Sequence, residues 1–295
     1  MESLEVAVEI MSNKKILITG GTGFIGASIA TELQKRGYNI SLIARTEKNV
    51  PKNILFYKAD VIKENEVKEA IRLSQPDIII HTAGRMNGSW DELYETNVIG
   101  TENILNNFSG RIIFLSSSSV YENNPVPFHE EMVVLPGSAY GKTKRMAEEL
   151  CLERKQAVAV RASVIYGPGQ EGTMFISRLC QYVQQKQGAF PMTPGDQTRD
   201  FVYISDVVNA MVKILETEYD GILNIGAGKS YMLNEVLTLA QEIIGEFPIE
   251  RTLPYRENEV MVHAMDISKA RSILEWEPEV ELRAGLKRVL NHSAT

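Results

Sequence analysis

Lys15-Ile-Leu-Ile-Thr19-Gly20-Gly-Thr-Gly23-Phe-Ile-Gly26 decides the fold. A short apolar run stops at glycines, and a helical pattern takes over at 27–36. Apolar residues at consecutive positions mark a strand buried on both faces. Glycines spaced G-x-x-G-x-x-G let the backbone turn tightly and approach a ligand closely. The following helix then offers unpaired N–H groups and the positive end of its dipole. In this strand–loop–helix setting, Gly20, Thr22, Gly23, Phe24, Ile25 and Gly26 read as a cradle for the pyrophosphate of a dinucleotide. The spacing departs from the general G-x-G-x-x-G. The bland alternative is a structural turn.

The same alternation continues outward. Short apolar runs recur at 40–43, 54–60, 77–81, 111–116 and 157–161, with helical patterns between several of them. Regular βαβ alternation predicts an α/β fold, a doubly wound parallel sheet. Beyond Tyr166-Gly-Pro-Gly169 the pattern loosens. We assign 12–168 plus 199–226 to a dinucleotide-binding Rossmann domain. A smaller, discontinuous substrate-binding domain takes 169–198 plus 227–295. The first eleven residues are an extension of uncertain role, and translation could equally start at Met11.

With 295 residues, 44% of them hydrophobic, the chain can bury a large core in one or two domains. The net charge of −7 gives no reason to expect nucleic acid or an anionic membrane. Cys151 and Cys180 form no CxxC and show no metal-ligand spacing, so neither a disulfide framework nor a metal site is expected; they read as core residues. No apolar run reaches membrane-spanning length, and no signal peptide is recognised. A cytoplasmic location is the expectation.

The end of the second strand bears on which dinucleotide binds. An acidic residue there would hold the ribose 2′-hydroxyl and repel a 2′-phosphate. The chain has Ala44-Arg45-Thr46 instead, and the Arg45 fork suits a phosphate. NADP is therefore favoured over NAD, with NAD left open. Farther on, Tyr140 and Lys144 stand four residues apart at the head of a helical run, and such positions share a face. A nearby cation favours phenolate and lowers a phenol pKa that is otherwise about 10. A phenol so tuned can exchange a proton with a carbinol oxygen while hydride moves at the carbon. A Y-x-x-x-K alone is common by chance; its neighbours give it meaning.

Ten segments in order resemble the extended short-chain dehydrogenase/reductase family, the NAD-dependent epimerase/dehydratase type. They are ITGGTGFIG (18–26), KADV (58–61), IIHTAG (79–84), NVIGTENIL (97–105), FLSSSSVY (114–121), SAYGKTK (138–144), YGPG (166–169), RDFVYISDV (199–207), NIGAG (224–228) and DISKARSILEWEP (266–278). The resemblance implies Asp60 and Val61 at the adenine. Thr82, Ala83 and Gly84 would line the cofactor's path, with Asn97 supporting the site. Ser117 would bond the substrate oxygen and Tyr140 would be the acid/base. Lys144 would hold the nicotinamide ribose and depress the Tyr140 pKa. Arg199 and Arg256 match the family's two diphosphate-binding arginines, and two guanidinium forks suit a pyrophosphate. The substrate implied is a nucleotide sugar, and the assembly a homodimer through helices at 96–108 and 140–154.

The departures narrow the chemistry. Dehydratases of the family carry Asp-Glu where this chain has Ser118-Ser119, which argues against water elimination. Val164 replaces an Asn that usually holds the diphosphate, and Glu122 stands where Gly is usual. A 4-epimerase that keeps NAD bound and an NADPH-linked reductase of a keto-sugar or other carbonyl remain the two readings. A non-catalytic dinucleotide sensor or RNA-binding relative is disfavoured, because Ser117, Tyr140 and Lys144 are all present. His81 reads as a packed cofactor-side residue and His129 as a candidate pocket residue.

Overall fold

Ile16 and Ile18 pack on one side of the central sheet and Leu17 on the other, all three buried. This is the pattern a strand needs when helices cover both faces. The computed structural model describes residues 14–48, 50–185 and 188–294. The extension at 1–11 lies outside them.

The first half runs β1 (Lys15–Thr19), α1 (Phe24–Lys35), β2 (Asn39–Ala44), β3 (Leu55–Lys58), α2 (Glu64–Ser74), β4 (Ile78–His81) and α3 (Trp90–Tyr94). A π-helical turn (Glu95–Ile99), α4 (Gly100–Asn107), β5 (Arg111–Ser117) and a 3-10 turn (Ser118–Tyr121) complete it. Then come α5 (Ala139–Leu152), β6 (Ala157–Ala162), β7 (Val164–Tyr166), α6 (Phe175–Gln185), β8 (Phe190–Pro191), β9 (Thr198–Tyr203) and α7 (Ile204–Leu215). The chain closes with β10 (Gly221–Ile225), β11 (Ser230–Met232), α8 (Leu233–Ile244), β12 (Ile249–Glu250), α9 (Ser268–Leu274) and α10 (Leu282–Ala294).

Seven strands form one sheet in the order β10-β6-β5-β4-β1-β2-β3, every neighbouring pair parallel. The chain winds outward from β1 to β3, then returns past β1 to β4 and continues the other way. That reversal opens a crevice between the C-terminal ends of β1 and β4, where ligands of such sheets bind. Core side chains from α1 and α7 cover one face; those from α2, α4 and α5 cover the other. Val67, Ala70 and Ile71 form the buried stripe of α2, and burying a Val or Ile contributes about 1.5–3 kcal/mol.

The second half departs from the large sheet at Ser163. Its N–H donates to Ile225 O at 2.8 Å, and its hydroxyl bonds both the carboxylate and the carbonyl of Asp200. The chain is thereby turned out, and β7 pairs with β9 and β11 in a separate three-stranded sheet. Thus β9, grouped from the sequence with the dinucleotide half, lies outside the large sheet, whereas β10 joins it beside β6.

Candidate active site

The glycine loop closes tightly on the loop after β4. A Cβ on Gly20 would lie 2.8 Å from Ala83 Cα, and one on Gly26 would lie 2.4 Å from Gly20 O. Only glycine lets these backbones meet. α1 begins at Gly23 with no side-chain cap and no acid in its first turn. Its free N–H groups and positive dipole end fit an anionic ligand such as a pyrophosphate. Arg45 is exposed at the end of β2 and makes no ion pair among the described residues. Asp60 and buried Val61 follow β3. The residues present fit a dinucleotide laid across these strand ends.

A buried relay ties the cradle to the helices behind it. Ala83 N–H reaches Thr19 Oγ1 at 3.3 Å, and Thr19 Oγ1 lies 2.6 Å from His81 Nδ1. On the other side of the ring, His81 Nε2 lies 3.0 Å from Thr101 Oγ1, which donates to Asn97 O at 2.6 Å. Because Thr101 spends its proton on Asn97, His81 must donate from Nε2 and accept at Nδ1. Burial, with Lys144 adding to it, pushes His81 down to about 3, so the ring is neutral. His81 is thus a buried, packed residue, as the sequence predicts for its packing. Asn97 sits on the π-helical turn, where such turns often mark function. Its amide accepts from Arg85 N at 2.7 Å and donates to Arg85 O at 2.9 Å and Thr143 Oγ1 at 3.0 Å. It therefore fixes the loop of Thr82, Ala83 and Gly84 against α5.

Ser117 ends β5 and caps the 3-10 turn, accepting from Ser119 N at 3.1 Å. Tyr140 and Lys144 lie on α5, whose cap Ser138 accepts from Gly141 N at 3.0 Å. A Cβ on Gly141 would come 2.4 Å from Ser119 O, so glycine lets this helix press against the Ser117 turn. Ser117 lies close enough to the Tyr140 phenol to favour its ionised form. Lys144 is buried; its ammonium donates to Leu115 O at 2.6 Å and lies 4.0 Å from the Phe114 ring centroid.

The expected lowering of the Tyr140 pKa does not hold here. Tyr140 as a whole is half-buried, yet its phenol is pushed up to about 12, first by desolvation among the packed atoms around it, with Glu122 adding and Ser117 opposing. Lys144 is turned to Leu115, and burial brings its own pKa down to about 8. The local i, i+4 rule is overruled by tertiary packing.

Beyond Ser117, Ser118 is buried and its Oγ lies 2.9 Å from His263 Nε2. Burial first, and then Arg199, push His263 down to about 4. Ser119 is half-buried beside it, and Val164 is half-buried on β7. Arg199 is held by Glu259 and by Val260 O at 2.6 Å. The exposed Arg256 acts on it electrostatically. Both arginines thus lie at one edge, with Glu259 engaging the first. His263, which meets Ser118, and Gln197 were not singled out from the sequence. Gln197 is buried, with an amide oxygen that has no hydrogen-bond partner; its place two residues before Arg199 was the available signal. His129 lies instead in a surface cavity with Glu131, Asp266 and Lys269.

A family model described as the NAD dependent epimerase/dehydratase family matches residues 16–226, from the cradle through the Ser117–Tyr140–Lys144 cluster. The chain belongs to this epimerase/dehydratase family. A putative UDP-glucose 4-epimerase of Methanocaldococcus jannaschii is 34% identical, over 94% of this chain and 97% of that one. A UDP-glucuronate 4-epimerase of Thermodesulfobacterium geofontis is 29% identical, over 94% and 95%. The structure of the UDP-glucuronic acid 4-epimerase from Bacillus cereus with UDP-glucuronic acid and NAD superposes at a TM-score of 0.86, with 25% identity over 95% of this chain and 98% of that one. As a family member the chain is an enzyme of the extended short-chain dehydrogenase/reductase type with a Rossmann-like fold. Among the described residues no helix is long and apolar enough to cross a membrane, and no cluster of His, Cys, Asp and Glu could hold a metal.

Proposed function

We propose that the chain interconverts C4 epimers of a UDP-hexose, with NAD laid across the ends of β1, β2, β4 and β5. The observation that carries this is the convergence of Ser117, Tyr140 and Lys144 beside the glycine cradle. Bound there, the nicotinamide would supply hydride uptake and return at the sugar carbon. Tyr140 exchanges the proton of the C4 hydroxyl, and Ser117 bonds the same oxygen. Lys144 holds the nicotinamide ribose. Asp60 and Val61 flank the adenine, and Asn97 keeps the loop of Thr82 to Gly84 in place. Ser118 and Ser119 provide hydroxyls in place of the acid and base that elimination needs, which favours epimerisation. Arg199 and Arg256 face the nucleotide diphosphate, with Arg199 exchanging Glu259 for phosphate.

Substrate binding falls to 169–198 plus 227–295, and the remainder from 12 to 226 holds the dinucleotide. We further propose a cytoplasmic homodimer joined through 96–108 and 140–154. Arg45 favours a second reading, an NADPH-linked reductase, because no carboxylate beside it would repel a 2′-phosphate.

The test incubates the protein with UDP-glucose, UDP-galactose or UDP-glucuronate, with NAD or NADP, and follows the sugar protons by NMR. The C4 epimer is expected, without net change in nicotinamide absorbance. Tyr140→Phe should lower turnover by roughly 10²–10⁴-fold and leave dinucleotide binding, read by calorimetry, intact. Net consumption of NADPH would move the assignment to the reductase. Undiminished turnover in Tyr140→Phe would remove Tyr140 from the chemistry.

A further inference from the structure

Glu122 has no part in the chemistry above, yet its carboxylate joins the two elements that carry it. It follows Tyr121 as the C-terminal cap of the 3-10 turn Ser118–Tyr121, whose N-terminal cap is Ser117. Its Oε2 accepts from Gly137 N at 3.0 Å and Ser138 N at 2.5 Å, and its Oε1 accepts from Ser138 Oγ at 2.8 Å. Ser138 in turn caps α5 by accepting from Gly141 N. One side chain thus welds the Ser117 turn to the first turn of the Tyr140 helix. A carboxylate suits this place, because the positive end of the helix dipole favours negative charge.

We propose that Glu122 is a positioning residue for Tyr140: it locks the catalytic helix to the Ser117 turn and sets a negative charge beside the phenol. The inference rests on Tyr140 as the proton carrier. Other groups that bear on the phenol are accounted for. From β5, Ser117 contributes an uncharged hydroxyl. From α5 itself, Lys144 is committed to Leu115 O. Behind Lys144, His81 is neutral. From β9, Arg199 reaches Glu122 only electrostatically and is paired with Glu259. Burial is the largest cause of the raised phenol pKa, and Glu122 is the charge that adds to it.

Glu122→Gln removes the charge and keeps an amide oxygen as acceptor. Ring-carbon NMR of labelled tyrosine, with the Tyr140 signal assigned by its loss in Tyr140→Phe, reads the phenol directly over the pH range in which circular dichroism shows the chain folded. Ionisation should begin at lower pH in Glu122→Gln, by a few tenths to about one pH unit. Glu122→Asp keeps the charge and should titrate near the parent while melting at lower temperature. An unchanged Tyr140 titration in Glu122→Gln overturns the inference. Turnover surviving in Tyr140→Phe instead overturns the proton-carrier reading and leaves the titration result standing, so the two failures are distinguishable.

Discussion

Lys144 donates an ammonium N–H to the carbonyl oxygen of Leu115 at 2.6 Å, anchoring α5 to the strand that ends in Ser117. The contact is buried and lies against the Phe114 ring. Lys144→Met fills similar space without a donor. It should reduce turnover by roughly 10²–10⁴-fold. Loss of the donor to Leu115 O should cost about 1–3 kcal/mol, read as a lowered urea midpoint. Unchanged turnover would show that the ammonium does not serve the reaction.

Gly26→Ala tests the cradle. The added methyl would sit 2.4 Å from Gly20 O and 2.8 Å from Thr82 Oγ1, so backbone must move. Dinucleotide affinity by calorimetry should fall at least about tenfold, a change of about 1.4 kcal/mol. Binding at the parent affinity would mean that the loop lies away from the pyrophosphate.

The core of the site contains an ion pair whose removal is costly. Arg161 and Glu148 are both buried; Arg161 Nη2 lies 2.6 Å from Glu148 Oε1, and Ser116 Oγ donates to Glu148 Oε2 at 2.7 Å. Glu148→Ala strands a buried guanidinium and should cost about 3–5 kcal/mol. The double replacement Arg161→Met with Glu148→Leu should restore much of that. Denaturant unfolding of the three proteins decides, and a single mutant as stable as the parent would refute the argument.

Acid should destabilise the chain through its two buried, neutral histidines. The folded values, about 3 for His81 and about 4 for His263, lie below the ordinary value of 6.5. As pH falls below 6.5, the unfolded chain takes up these protons first, and stability present above that pH is lost. Burial pushes Asp200 the other way, to about 6 from 3.8, so its protonation favours the folded state and offsets one histidine. The three groups together leave about one net proton taken up on unfolding between pH 6 and 4, so stability declines across that window. Urea titrations across that range should show the decline, and Asp200→Asn should steepen it. A flat profile in both proteins would contradict the burial of the rings.

The large sheet was legible because each of its core strands is apolar at consecutive positions, as Ile16, Leu17 and Ile18 are. The cradle was legible because its glycines, strand and helix are contiguous. The destination of β9 was hidden, since its partners in β7 and β11 are set by the Ser163–Asp200 contact across 37 residues. His263 was hidden for the same reason, meeting Ser118 from 145 residues away. The sign of the Tyr140 shift was misread because sequence shows the neighbouring charge and conceals the burial that outweighs it.

The π-helical turn at Glu95–Ile99 has a mechanical consequence. Each residue advances a helix by about 100°, so one residue too many in a turn changes the rotational phase of everything after it. That offset lets the Asn97 amide face Arg85 and Thr143 while Ile104 and Leu105 of α4 still face the core. Deleting one residue here would turn α3 and α4 out of step by about the same angle, forcing a choice between the Asn97 contacts and the core. The segment should therefore accept substitutions far more readily than changes in length.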